Sequence, residues 1–374
     1  MSKAAELAAL IGSGQAQGNR NIIINGAMQV AQRGTSAVAA GAGTYPSIDR
    51  FKAWESTDGA FTVEQSTTAP AGFTTSFKAQ VTTADTSLAA AQYAQLSHQI
   101  EAQNLQHLEY GTSGAKTLTL SFHVRSSKTG SYSITLYKDD TTRYLFSKSY
   151  TIDSADTWEK KTITIAPDSN IKASGGAIAN DNGIGFYVFW NLAAGTNFDD
   201  ATDNAWSSNT SHFNTNSQVN WMDNTSNNFY LTGVQLEIGD VATPFEHEDI
   251  GTTLAKCQRY YTIEKAGTGG TYKRLSLGQC QDSTSAGFIM SLSTPLRGTP
   301  TLVTSGNSNH YQTYSAGAVD TLTGILLTSD SDAGTYNNHI AFNVTVSSGL
   351  VAGDGTELVT NNNASYYLAF DAEL

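Results

Sequence analysis

The sequence predicts a mainly β protein. Runs of alternating apolar and polar residues recur along most of its 374 positions, turn-forming clusters separate them, and no strand–helix–strand alternation appears. Together these features describe a short N-terminal helix, an antiparallel β-sandwich over residues 19–250 and a second, smaller β-sandwich over residues 251–374. Composition agrees: charged residues are 14% where about 25% is usual, and the 33 glycines far outnumber the 6 prolines, as suits a surface rich in turns.

Residues 1–11 carry Ala4, Leu7 and Ile11 at helical spacing, with Ser2 able to cap the start and Gly12 and Gly14 able to end it. Glu6 inside the apolar run argues against an export signal. So short a helix is marginal alone, because nucleation costs more than its few bonds return. Residues 1–18 therefore read as a docking or oligomerisation helix and linker, the alternative being a frayed terminus.

From residue 21 strand follows strand. Residues 22–24 form a β-branched run, and 116–125 alternate cleanly, with Leu118, Leu120, Phe122 and Val124 on one face and Thr119, Ser121 and His123 on the other. The pattern returns at Tyr132, Ile134 and Leu136, at Lys161, Ile163 and Ile165, at Phe186, Val188 and Trp190, and at Val234, Leu236 and Ile238. Residues 93–110 fit both periodicities and read as a strand followed by one helical turn near Asn104. The Asn-rich stretch 197–228, holding Trp206, His212, Phe213 and Trp221, is too long for an idle loop. Beyond residue 250 a second set of strands is expected at 257–263, 275–281, 288–292, 322–327, 340–346 and 366–370.

A net charge of −12 repels a phosphate backbone, which argues against nucleic acid, and no run of about 18 apolar residues exists to insert in a membrane. The seven histidines form no HxH, HExxH or HxxxH face, and no serine stands in a GxSxG elbow, so neither a metal, a cofactor nor a catalytic residue is expected. Cys257 and Cys280 read as buried thiols, with a disulfide as the minor alternative. The carboxylate groups at Asp199, Asp200 and Asp203 and at Glu246, Glu248 and Asp249 read as solvated loop, with a calcium site at the first or a glycosidase pair as alternatives.

Aromatic rings beside amides make sugar platforms, since a ring stacks on a sugar's apolar face while amides read its hydroxyls. Trp206, Trp221, Tyr311 and Tyr314 have such neighbours, though core packing is the better reading of the two tryptophans. The candidate receptor-binding residues are Asn307, His310, Tyr311 and Tyr336, in turn-rich segments of the second domain.

One resemblance adds to this reading. Residues 19–34 (NRNIIINGAMQVAQRG) with Asp49-Arg50-Phe51, then 97–108 (SHQIEAQNLQHL), 118–129 (LTLSFHVRSSKT), 158–165 (WEKKTITI), 231–247 (LTGVQLEIGDVATPFEH) and Cys257-Gln258-Arg259-Tyr260-Tyr261 resemble, in order, a class of tailed-phage virion proteins. Such proteins are tail fibres or related structural components, with a first domain similar to carbohydrate-binding jelly rolls. The resemblance implies a virion protein made in the host bacterial cytoplasm, a homotrimer joined to other tail or virion proteins through its N-terminus, and a variable distal domain that touches a host-surface glycan. The other function in view is a virion-associated enzyme that degrades host polysaccharide. Only about 18 residues precede the matched region, short for a tail-docking module.

Overall fold

The computed structural model describes residues 19–265, 272–328, 338–362 and 365–374. The stripe of Ala4, Leu7 and Ile11, and Tyr336, lie outside them. The chain divides into two compact units, Met1–Thr253 with Leu374, and Leu254–Glu373.

The first unit is built from β1 (Val38–Ala39), β2 (Ala42–Thr44), β3 (Phe51–Ser56), β4 (Ala60–Ser66), β5 (Ser76–Thr83), β6 (Tyr93–Glu101) and β7 (Leu118–Ser126). It continues through β8 (Gly130–Lys138), β9 (Tyr144–Ile152), β10 (Glu159–Ile165), β11 (Ile184–Ala194), β12 (Ala205–Ser207) and β13 (Asn228–Ile238). A six-stranded sheet runs β1-β4-β5-β13-β7-β10 and a seven-stranded sheet runs β12-β9-β8-β11-β6-β3-β2. Sequence neighbours are often not sheet neighbours, so the strands weave between two layers. Apolar residues from both inner faces share one core, in which Phe51 and Trp190 of one sheet meet Phe77 and Phe122 of the other at centroid distances of 6.2 and 6.0 Å. The ambiguous segment resolves as β6 followed by a 3-10 turn over Ala102–Leu108.

Residues 22–24 correct one expectation: they form no strand. The Asn21 side chain accepts from the amides of Ile23 (3.0 Å) and Leu236 (3.1 Å) and donates to Val234 O (3.0 Å), which clamps the segment to β13. Asn25 then turns the chain at φ 62, accepting from the Val30 amide and donating to the carbonyls of Val30 and Asp49. A Cβ on Gly26 would stand 2.1 Å from Val234 O, so only glycine lets the turn sit so close. Amide chemistry here outweighs β propensity.

The second unit holds β14 (Tyr261–Lys265), β15 (Arg274–Cys280), β16 (Ser285–Ser291), β17 (Thr301–Thr304), β18 (Tyr311–Ser315), β19 (Ala318–Leu327), β20 (His339–Val346), β21 (Gly355–Thr360) and β22 (Tyr367–Asp371). It is mainly β, as expected, but the second sandwich becomes something more closed. Six strands form a barrel in the order β15-β16-β20-β19-β18-β21, and β14-β22-β17 make a separate sheet with the C-terminal strand at its centre. Phe288 and Phe342 stack at 5.8 Å in the barrel's buried cluster, which also takes in Tyr311, Val344 and Leu358. The expected strand over 257–263 is also corrected. Residues Ile250–Gln258 are a helix whose first turn is capped by Asp249, its Oδ1 accepting from the Gly251 amide at 2.9 Å, and the strand starts only at Tyr261. Cys257 is thus helical and Cys280 ends a strand; both are buried.

Candidate functional site

The face of the seven-stranded sheet that points away from the core carries an ordered set of aromatic and amide side chains. Central strand β11 reads Ile-Gly-Phe-Tyr-Val-Phe-Trp-Asn from Ile184, and its alternation buries Phe186, Val188 and Trp190 while Tyr187, Phe189 and Asn191 face outward. Register places Tyr187 between Gln99 of β6 and Tyr137 of β8, Phe189 between Ser97 and Thr135, and Asn191 between Gln95 and Ser133. On β3, Trp54 lies opposite Gln95.

Four half-buried rings therefore make one strip across the sheet. Tyr187 and Phe189 are parallel at 5.4 Å with 6° between planes; Trp54 meets Phe189 edge-on at 6.3 Å, and Tyr137 meets Tyr187 at 5.7 Å. Trp54 is oriented in the strip by its Nε1, which donates to Ser97 Oγ at 2.8 Å. At one end Tyr45 donates to Gln99 Oε1 (2.7 Å) beneath Arg33 and Lys52, whose charged atoms stand 5.3 and 4.7 Å from its ring. At the other end burial, and then the Asp139 carboxylate, raises the phenols of Tyr137 and Tyr187 above their ordinary range, so both stay hydrogen-bond donors at neutral pH.

The stretch 197–228 walls the other half of this face. Thr135 Oγ1 donates to Phe213 O at 2.6 Å, the Gln218 side chain accepts from the Ser133 amide at 2.7 Å, and Gln95 Nε2 donates to Asn191 Oδ1 at 2.7 Å in a buried polar layer under the loop. The loop also packs on itself, with Phe198 and Phe213 stacked at 4.7 Å. Trp206 and Trp221 belong to the core. The arrangement is a strip of four half-buried rings on the outward face of the sheet, with phenol and amide groups beside it.

The residues expected to contact a receptor are placed differently. Asn307 is exposed but accepts from the Asn309 amide (2.9 Å), capping a 3-10 turn; half-buried His310 has Nδ1 2.7 Å from Ser305 Oγ. Tyr311 corrects its expectation outright, being 0% exposed inside the barrel with its hydroxyl donating to Tyr367 O. Pleating turns Tyr314 outward instead, at 43% exposure. The carboxylate clusters serve local structure. Asp203 pairs with Lys148 at 2.7 Å, Asp200 accepts from Asn216, Glu246 accepts from the amides of Asn19 and Asn21, and Glu248 accepts from Thr253. Among the described residues no three His, Cys, Asp or Glu side chains gather as a metal site would require. Sequence reasoning missed the aromatic strip, and its signal was present: β11 carries rings at both alternations, so one set had to face outward.

No family model matches the chain, and no curated protein does. Solved structures similar to it include a protein from Bacteroides thetaiotaomicron described as sugar binding, 13% identical over 59% of this chain and 100% of its own, with a TM-score of 0.33. Another is the enzymatically active domain of tailspike protein 4 from bacteriophage CBA120, 11% identical over 59% of this chain and 22% of its own, TM-score 0.30. A third is the carbohydrate-binding module TmCBM61 in complex with β-1,4-galactotriose, 12% identical over 59% and 100% of the two chains, TM-score 0.26.

Proposed function

We propose that this chain is a non-enzymatic phage virion appendage protein, a tail fibre or relative, that holds a host-surface glycan on the outward face of its seven-stranded sheet. The observation that carries the glycan reading is the Trp54–Phe189–Tyr187–Tyr137 strip, four rings in one row over the hydrogen-bonding side chains of Ser97 and Gln99. Rings offered side by side suit a chain of sugars, and each stacked ring contributes on the order of 0.5–1.5 kcal/mol, so a row is needed for useful affinity. Virion membership is supported by the ordered sequence motifs between residues 19 and 262. Self-association as a homotrimer, and attachment to other virion proteins, are assigned to residues 1–18 with their Ala4, Leu7 and Ile11 stripe.

Purified protein incubated with insoluble host envelope polysaccharide tests the glycan reading. Wild-type chain pellets with the polysaccharide, and the Trp54→Ala/Phe189→Ala double variant, which loses the sheet-face site alone, pellets markedly less at the same polysaccharide concentration. Equal pelleting of both refutes the site, and release of new reducing ends assigns the chain to the polysaccharide-degrading enzymes instead.

A further inference from the structure

Seven of the ten large apolar side chains that stand exposed among the described residues belong to the second, shorter unit. Four fall in one cross-strand row on the outside of the barrel. Val319 of β19 is opposite Tyr314 of β18, Tyr314 opposite Glu357 of β21, and Glu357 opposite Leu277 of β15; Leu277 directly precedes Gly278, whose partner Phe288 of β16 directly precedes Ile289. Under the Tyr314 end lies a cavity of ≈ 350 Å³, near the lower end of the range for small-ligand sites.

Its make-up is specific. The register partners Gln312 and Val359 share the outward alternation of Tyr314 and Glu357, yet are only 7% and 5% exposed, because they form the floor. Tyr314 and Tyr272 line it at 43% and 62% exposure, and Arg274 Nε donates to Glu357 Oε2 at 2.5 Å on its edge. Two rings, a recessed amide and a planar guanidinium–carboxylate pair thus converge on one depression. An apolar partner gains nothing from polar groups at the centre of the row. A sugar uses all of them: rings stack on its C–H face, and the fork of Arg274 with the Glu357 oxygens offers adjacent donors and acceptors to neighbouring hydroxyls. The pair is neutral overall, which favours an uncharged sugar over a uronate.

We propose that this barrel cavity is a second carbohydrate site, seating a neutral pyranose unit between Tyr272 and Tyr314. It takes its ligand class from the glycan reading of the sandwich but stands on separate residues.

Isothermal titration of the full chain with neutral gluco-, galacto- and manno-trisaccharides, and a uronate trisaccharide as anionic control, tests it. Wild-type protein is expected to bind one of the neutral probes at two sites per chain. Tyr272→Ala/Tyr314→Ala should weaken the barrel site by tenfold or more, at about tenfold for each strongly stacked ring. The melting temperature should not change, since both side chains are exposed. Trp54→Ala/Phe189→Ala should remove the other site. A single wild-type site that only the Trp54/Phe189 variant abolishes overturns the barrel proposal and keeps the sheet-face reading; a single site that only the tyrosine variant abolishes does the reverse. No binding by any probe overturns both. Unaltered binding in the tyrosine variant with a reduced sedimented mass overturns the proposal by making the row a self-association surface.

Discussion

Replacing Asn191 with alanine should loosen the loop that packs over half of this sheet face, at a calculable cost. The Asn191 side chain sits fully buried between sheet and loop, accepting from Gln95 at 2.7 Å and donating to Thr135 Oγ1 at 3.0 Å. Thr135 loses little, since its hydroxyl still donates to Phe213 O at 2.6 Å. Gln95 loses more: it is 4% exposed, so its Nε2 is left unpaired where water does not reach. An orphaned buried donor costs about 1–3 kcal/mol, and the small void adds to it. The expected total, about 2–4 kcal/mol, is a large share of the roughly 5–15 kcal/mol that holds a domain folded. In urea, with a slope near the upper end of about 1–3 kcal/mol/M, the first unit's midpoint should fall by about 1 M at constant slope. A Gln95→Ala/Asn191→Ala variant should lose less than the sum of the single changes, because no orphan remains. A midpoint shift below about 0.2 M, or strict additivity, would show that the buried amide layer does not secure the loop.

Acid should weaken the fold. His98 is fully buried, and burial, then the Arg50 charge, holds its pKa well below the ordinary 6.5, while burial lowers His107 and His123 too. The unfolded chain takes up these protons near pH 6.5 and the folded chain does not, so stability rises with pH through that region. The melting temperature should hold steady above about pH 7.5 and drop from pH 6.5 to 5, less steeply in His98→Gln; a rise on acidification would contradict this. Tyr311→Phe should cost the barrel about 1 kcal/mol, from its lost hydrogen bond to Tyr367, and leave saccharide titration unchanged. Weaker saccharide binding in that variant would return Tyr311 to the receptor contacts.

Period-2 alternation made most strands of the sandwich legible, because residues such as Leu118, Leu120, Phe122 and Val124 face one core and their neighbours do not. It was silent on closure: alternating burial in β16 and β20 suits a sandwich as well as a barrel, and the β15–β21 and β18–β21 pairings that close the ring join residues dozens of positions apart. It misread residues 22–24, where the side chains of Asn21 and Asn25 outcompete a ladder, and 257–263, where the Asp249 cap extends a helix through Cys257. Tyr311 was placed on the wrong face for want of register, since a shift of one residue exchanges inside and outside. The aromatic strip needed the same information, as its rings come from β3, β8 and β11 and meet only once the sheet is assembled.

A crystal structure of the full chain with the tightest-binding oligosaccharide would locate the sugar on or off the aromatic strip. The expected result is a sugar ring packed at about 4 Å from Phe189 or Tyr187, with hydroxyls reaching the polar side chains that border the strip. Saccharide bound elsewhere on the sandwich, with the face between Trp54 and Tyr137 left bare, would contradict it.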